Sequence, residues 1–384
     1  MEDAYILACG RSPMTKAGRG PLASARIDDV AAQVLRGVIS RLPAFDPASI
    51  EDVLVGCAMP EGEQGLNVAR NISFLAGLPV SVAASTVNRF CASSLEAIGQ
   101  AVRAIKCRDG EVFVAGGIES MSHVPMGGFN ASLNERLMRE GAPDAYVSMG
   151  LTAENVARER EISRGEQDRF ALASHMKAVS AVERGKFSAE LVSVKIESEE
   201  GDLTVSKDDG PRADTSLEAL SALQPAFLAG GSVTAGNSSP LTDGAAMAVI
   251  ASKGAAKRIG ARPLAKVRAF AVSGCDPALM GLGPIHAVPK ALARAGIKMK
   301  KLDLVELNEA FASQAIACVR ELSIDERKLN VNGGAIALGH PLGMSGARII
   351  TTLVYAMQDR GAAVGMAAMC VGGGQGAAMI IERV

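Results

Sequence analysis

The residues of this chain whose types and placement suggest chemistry are two cysteines and a histidine. Cys91 lies in Val87-Asn88-Arg89-Phe90-Cys91-Ala92-Ser93-Ser94-Leu95-Glu96, where an apolar run stops at a thiol and small, helix-capping residues follow. A thiol at such a strand-to-helix turn faces unpaired N–H groups and the positive end of the helix, which predicts a thiolate, the nucleophilic form. One cysteine alone is more often a small buried hydrophobe, but two further segments shift the balance. Asn332-Gly333-Gly334-Ala335-Ile336-Ala337-Leu338-Gly339-His340-Pro341-Leu342-Gly343 presents a histidine in a glycine-rich loop ahead of a helical stretch. Met369-Cys370-Val371-Gly372-Gly373-Gly374-Gln375-Gly376 repeats the strand-to-glycine pattern with a second thiol. Thiol, imidazole and thiol form a catalytic set.

The elements that must position this set alternate along the chain. Strand-like runs at Ala4 to Ala8, Asp52 to Cys57 and Val112 to Ala115 are interleaved with amphipathic helices, one from Asp28 to Arg41 and one after Cys91, which reads as α/β. The C-terminal part repeats the order: a helix from Pro289 to Ala295, a strand from Leu302 to Glu306, a strand ending at Val331-Asn332, a helix from Ser345 to Met357 and a strand from Gly365 to Val371. Val87-Asn88 and Val331-Asn332 fall at matching places, a weak internal duplication whose period exceeds any solenoid repeat. Two halves meeting face to face would bring Cys91 near His340 and Cys370. Between them the chain turns toward charge, glycine and methionine with few strand-like runs. Glu154 to Ala181 reads as helical, with Ser163-x-x-Glu166 resembling a capping box, so this stretch is expected to be an inserted lid.

Composition narrows the class. The chain has 384 residues, 48% of them hydrophobic, enough for two to three domains at roughly 150 residues each. With 40 basic and 41 acidic residues its net charge is −1, so no global field favours nucleic acid or an anionic membrane surface. The seven cysteines are scattered, odd in number and without a Cys-x-x-Cys pair, which speaks against a disulfide framework or a zinc site and for a reducing, cytoplasmic setting. The first strand-like run starts at Tyr5, leaving no room for a leader, and no apolar stretch is long enough for a membrane span. Gly372-x-Gly374-x-x-Ala377 imitates a dinucleotide fingerprint, yet only residues 378–384 follow it, too few for the helix and acidic ribose ligand that NAD requires.

Taken together, the Cys91 segment, Gly116-Gly117-Ile118-Glu119-Ser120-Met121, Val233-Thr234-Ala235-Gly236-Asn237-Ser238-Ser239, Asn308-Glu309-Ala310-Phe311-Ala312 and the His340 and Cys370 loops resemble the thiolase family along essentially the whole chain. The resemblance is strongest to its degradative 3-ketoacyl-CoA-cleaving branch. It implies a duplicated, five-layered α/β/α/β/α fold. Residues 1–121, completed by about 244–262, would form the N-terminal half, 122–243 the lid and 263–384 the C-terminal half.

By the same resemblance, the chain cleaves 3-ketoacyl-CoA with CoA as cosubstrate and no tightly bound cofactor or metal. Cys91 is the nucleophile that carries the acyl group, His340 its base and Cys370 an acid and base at the substrate α-carbon. Asn308 holds a water that completes an oxyanion hole with His340, and the N–H groups of Cys91 and Gly372 form a second. Glu309 has the chemistry of a base but takes a supporting place. CoA would meet Met149, Arg212, Phe227, Ala235, Ser239 and Phe311. Ser148 stands where acetoacetyl-CoA-specific members carry histidine, which fits longer acyl chains, and Ala219 replaces a CoA-binding serine of some members. Family members form homodimers and often homotetramers, and the degradative branch can join a hydratase/dehydrogenase subunit. A biosynthetic acetoacetyl-CoA thiolase and a non-catalytic lipid carrier of the same fold are the competing readings.

Overall fold

Residues 2–197 and 201–384 are described by a computed structural model; Met1 and positions 198–200, which fall in the expected N-terminal half and lid, lie outside them. The N-terminal half contains strands β1 (Ala4–Arg11), β2 (Asp52–Cys57), β3 (Ala83–Val87), β4 (Val112–Glu119) and β5 (Thr242–Ser252). The C-terminal half contains β6 (Ala265–Gly274), β7 (Leu304–Leu307), β8 (Val364–Val371) and β9 (Gln375–Arg383). Their spatial order is β3-β2-β4-β5-β1 in the first and β7-β8-β9-β6 in the second. The two sheets touch where Tyr5 and Ile6 of β1 pair with Lys266 and Ala265 of β6.

Counted within each half, both follow one plan. Strands two, three and four run parallel in the first half (β2 with β3 and with β4), and strand five returns antiparallel between strands four and one. In the second half β7 and β8 are parallel, and β9 lies antiparallel between β8 and β6. The expected strand ending at Val331-Asn332 is not formed. Its place is taken by a single parallel bridge between Leu329 and Val305, because the chain leaves at once through Asn330, whose φ is 42°, toward the His340 loop.

Helices α1 (Ile27–Ile39) and α2 (Val68–Leu75) cover the outer face of the first sheet. Helices α6 (Gly283–Ala295) and α7 (Ala312–Glu321) cover that of the second. Between the sheets lie α3 (Ser93–Cys107) and α8 (Ser345–Arg360), so the layers are α/β/α/β/α. Strand periodicity distributes the side chains: Val112 and Val114 of β4 face the outer core, while Phe113 and Ala115 face the central helices. The two central helices cross tightly at Gly346, where a Cβ would stand 2.4 Å from the Leu95 nitrogen. Helix α6 begins six residues before the expected start at Pro289, because Pro284 occupies its first turn and Pro289 is carried inside the helix.

The lid enters between β4 and β5. The expected continuous helix over Glu154 to Ala181 is two helices, α4 (Met149–Glu159) and α5 (Arg164–Glu183). Glu161, at φ 51°, breaks the first, and the capping box of Ser163 and Glu166 starts the second. The lid also holds a short ribbon, Val194–Ile196 paired with Leu203–Val205, in a region expected to have few strands. No helix among the described residues is long and apolar enough to cross a membrane.

Candidate active site

Cys91 occupies the short turn that joins β3 to α3. Phe90 before it takes the left-handed conformation at φ 43°, unusual for an aromatic residue. The turn is held by hydrogen bonds: the Phe90 N–H donates to Asn88 Oδ1 at 2.8 Å, and Ser93 Oγ donates to the Phe90 carbonyl at 2.6 Å while accepting from the Arg89 N–H at 2.9 Å. Arg89 reaches the other half, donating to Gln375 Oε1 at 2.9 Å. The thiol lies under the backbone N–H groups of Gly372 and of Cys91 itself, the pair expected to form an oxyanion hole.

The thiolate expected at this helix start is not the resting form. Burial pushes the Cys91 thiol up to about 11, and the negative charge of Glu119 adds to this; the two N–H groups lower it only in part. Desolvation of the anion outweighs the helix end. Cys370, the penultimate residue of β8, is raised well above the ordinary thiol range by burial and by the nearby Cys91.

His340 follows Gly339, whose φ of 107° allows the chain to turn inward. Ser345 Oγ donates to the Pro341 carbonyl at 2.7 Å, so its lone pair accepts at 2.5 Å from His340 Nδ1–H. That leaves the Nε2 lone pair free to accept from Asn308 Nδ2 at 3.3 Å, and the network assigns the tautomer a base at Nε2 requires. Burial, then the buried charge of Arg348, pushes the imidazole down to about 3, so it rests neutral. Asn308 is placed by the end of β7, with its N–H on the Ala368 carbonyl of β8 at 2.9 Å.

Cys91, His340 and Cys370 line one cavity of about 210 Å³. Its apolar wall includes Met121, Met126, Met280 and Leu342, and Met149, Phe227, Ser239 and Phe311 of the expected CoA set also line it. Phe227 stands edge-on to Phe311 with centroids 6.0 Å apart, and lies so close over Gly150 that a Cβ there would meet its ring at 2.1 Å. The other two CoA candidates stand off this wall. Ala235 is exposed, and the Arg212 side chain is exposed beside Asp214 while its backbone N–H donates to His175 Nδ1 at 3.2 Å. Glu309 is enclosed: it accepts from Ser174 Oγ, Asn330 Nδ2 and the Ile336 N–H at 2.6, 2.7 and 3.2 Å, tying the lid helix to the loop ahead of His340.

The sequence reading missed Ser345. The signal was available only as a hydroxyl five residues beyond the histidine, and nothing in that spacing shows that the chain folds it back onto Nδ1.

A buried cysteine at a helix start thus meets an imidazole and a second thiol delivered from the other half of a five-layered α/β protein. The chain belongs to the thiolase family: residues 4–254 match the family's N-terminal domain and 261–383 its C-terminal domain. It is 46% identical over the whole of both chains to proteins named 3-ketoacyl-CoA thiolase from Bacillus subtilis and from Aliivibrio fischeri. Among solved structures it resembles the acetyl-CoA acetyltransferase of Bacillus anthracis (TM-score 0.92, 38% identity) and the human mitochondrial 3-ketoacyl-CoA thiolase (TM-score 0.91, 36% identity). Each likeness covers 100% of this chain and 99% of the other.

Proposed function

We propose that this protein is a degradative 3-ketoacyl-CoA thiolase. The observation that carries the reading is the convergence of Cys91, His340 and Cys370 on one apolar cavity, with the N–H groups of Cys91 and Gly372 over the first sulfur. Because the resting thiol and imidazole are both neutral, attack and proton transfer are coupled: as Cys91 Sγ bonds to the keto carbon, its proton passes to His340 Nε2. The carbonyl oxygen gains the negative charge and is met by the N–H groups of Cys91 and Gly372. The bond between the α- and keto carbons then breaks. Its electron pair forms an enolate stabilised by the imidazolium and an Asn308-held water, and Cys370 protonates the α-carbon to give acetyl-CoA.

Incoming CoA, which binds as cosubstrate, returns its thiol proton to Cys370 and attacks the acyl-Cys91 thioester. The shortened acyl-CoA leaves, and the Cys91 sulfur recovers its proton from His340. On this reading Met149, Phe227, Ser239 and Phe311 line the pantetheine channel, with Arg212 and Ala235 outside it toward the nucleotide. The methionine-rich wall, adaptable in shape, suits variable acyl chains.

The chain is also proposed to act as a homodimer. Strand β3 lies at the sheet edge with partly exposed residues, and Leu66, Val80 and Phe74 are 94%, 79% and 51% exposed nearby in sequence. Tetramerisation and docking to a hydratase/dehydrogenase subunit rest on the family resemblance. The free state of all seven cysteines fits a reducing, cytoplasmic setting.

The test is CoA-dependent cleavage of acetoacetyl-CoA and of a medium-chain 3-ketoacyl-CoA, with Cys91→Ala as control. Turnover of both, faster on the longer substrate and lost in the variant, is expected. Activity confined to acetoacetyl-CoA would replace this reading with the biosynthetic one, and binding without turnover would leave a carrier.

A further inference from the structure

Glu119, the last residue of β4, is 1% exposed and has no cationic partner among the ion pairs of the described residues. Its carboxylate instead collects N–H groups from two halves of the protein. Oε1 accepts from Gln64 Nε2 at 2.6 Å and the Met59 N–H at 3.2 Å; Oε2 accepts from the Ala58 N–H at 2.9 Å and the Gly343 N–H at 2.7 Å. The remaining polar neighbour, the Cys57 thiol, donates weakly to Oε1 at 3.9 Å, so four N–H groups and a thiol face the carboxylate and the only acceptor it could meet if protonated is that sulfur. These N–H groups favour the anion and oppose burial, which raises the pKa of this group.

The Gly343 end of this network lies three residues beyond His340. The same residue is held on its other side, where its carbonyl, in the next peptide, accepts from the Ser94 N–H at 3.2 Å, three residues beyond Cys91. The fit has no slack: a Cβ on Gly117 would stand 2.1 Å from the Gly343 oxygen, and one on Gly343 would stand 2.4 Å from the Ile118 oxygen. The His340 loop of one half is thus seated on the Cys91 turn of the other through a single residue, Gly343, with Glu119 holding its N–H.

We propose that Glu119 is a positioning residue of the reaction, whose buried carboxylate sets the relation of His340 to Cys91 by locking the Gly343 peptide to the Ala58–Met59 turn. This rests on His340 acting as the base for Cys91. Glu119→Gln keeps the shape but places an NH2 against at least one pair of N–H donors, which releases either Gly343 and Ala58 or Met59 and Gln64.

The experiment is a double-mutant cycle in the full-length protein, with Glu119→Gln in the wild-type and His340→Ala backgrounds. The readout is the rate of Cys91 alkylation by iodoacetamide at pH 7.5, a pH chosen near the usual assay range, followed by peptide mass spectrometry. A merely structural role slows both backgrounds by the same factor. Positioning slows the wild type about 30-fold or more relative to the His340→Ala protein, since the geometry being lost there no longer has a base to place; the removed charge of Glu119, which acts on the Cys91 thiol in both backgrounds, cancels from this ratio. Equal losses, or a wild-type rate unchanged by Glu119→Gln, would overturn the proposal. If His340→Ala alone leaves the rate unchanged, the base assignment fails, and the proposal with it, a result distinct from equal losses. Should Glu119→Gln fail to fold, Glu119→Asp, which keeps the charge but draws it back from Gly343, carries the same cycle.

Discussion

The two halves share a strand plan yet hand over different chemistry, and the difference lies in their loops. After the third strand position, the first half turns through a strained Phe90 and delivers Cys91 at the start of α3. The second half reduces that strand to one bridge at Leu329 and uses the released chain to carry His340 inward ahead of α8. Between strands four and five, the first half inserts the lid, whereas the second closes the same connection with Gly372, Gly373 and Gly374, just past Cys370. Duplication supplied two helix starts facing each other across the central layer. On the proposed mechanism, divergence of the connections made one the nucleophile's half and the other the proton-handling half.

The largest effect expected separates those roles. Cys370→Ala should slow cleavage of 3-ketoacyl-CoA by about 10³-fold while Cys91 still takes up an acetyl group from acetyl-CoA on long incubation, more slowly because the departing CoA thiolate must be protonated by water, detectable as an intact-mass shift. Loss of acylation in Cys370→Ala would show that the two thiols do not divide the work by half. Next comes the glycine hairpin. Gly374 has φ 77°, and a Cβ on it would stand 2.4 Å from the Cys275 oxygen, so Gly374→Ala should lower unfolding stability by about 2 kcal/mol or more in denaturant titration. An unchanged midpoint would remove the steric reason for glycine there.

The resting protonation state is tested by the pH dependence of Cys91 alkylation. With the thiol raised to about 11, the thiolate fraction, and with it the rate, should climb about tenfold per pH unit between pH 7 and 10 in His340→Ala, where no base assists. A plateau by pH 8 would restore the thiolate that the helix start suggested. The histidines affect stability with a definite sign. His340 and His175 are held at about 3 and about 4, below the ordinary value, so the unfolded chain binds protons that the folded chain refuses. Their contribution is full above about pH 6.5 and is lost as pH falls toward those values. The smallest effect belongs to the lid: Ser163→Ala removes the capping box of α5 and should cost about 1 kcal/mol, read as a small fall in thermal midpoint with the chemical step intact.

Much of this was legible without coordinates. Asp52 to Cys57 was placed to the residue, the matching positions of Val87 and Val331 were visible, and the glycine loops marked His340 and Cys370 as unusual. The missing third strand was not legible, because Val331 reads as strand-forming and only its local surroundings show the chain leaving the sheet. The break in the lid helix was concealed in the same way: Arg160 to Ile162 continues a helical pattern, and Glu161 departs from it only in its φ.

Residue types and their periodicity determined the α/β alternation, the duplication and the candidate reactive groups, since these follow from local propensity and from side-chain chemistry. The tertiary structure alone decided their state. Burial turned a predicted thiolate into a neutral thiol, folded Ser345 onto His340 to choose its tautomer, and set Glu119 between the halves. Desolvation and long-range hydrogen bonds depend on which distant segments meet, and no spacing along a chain records that.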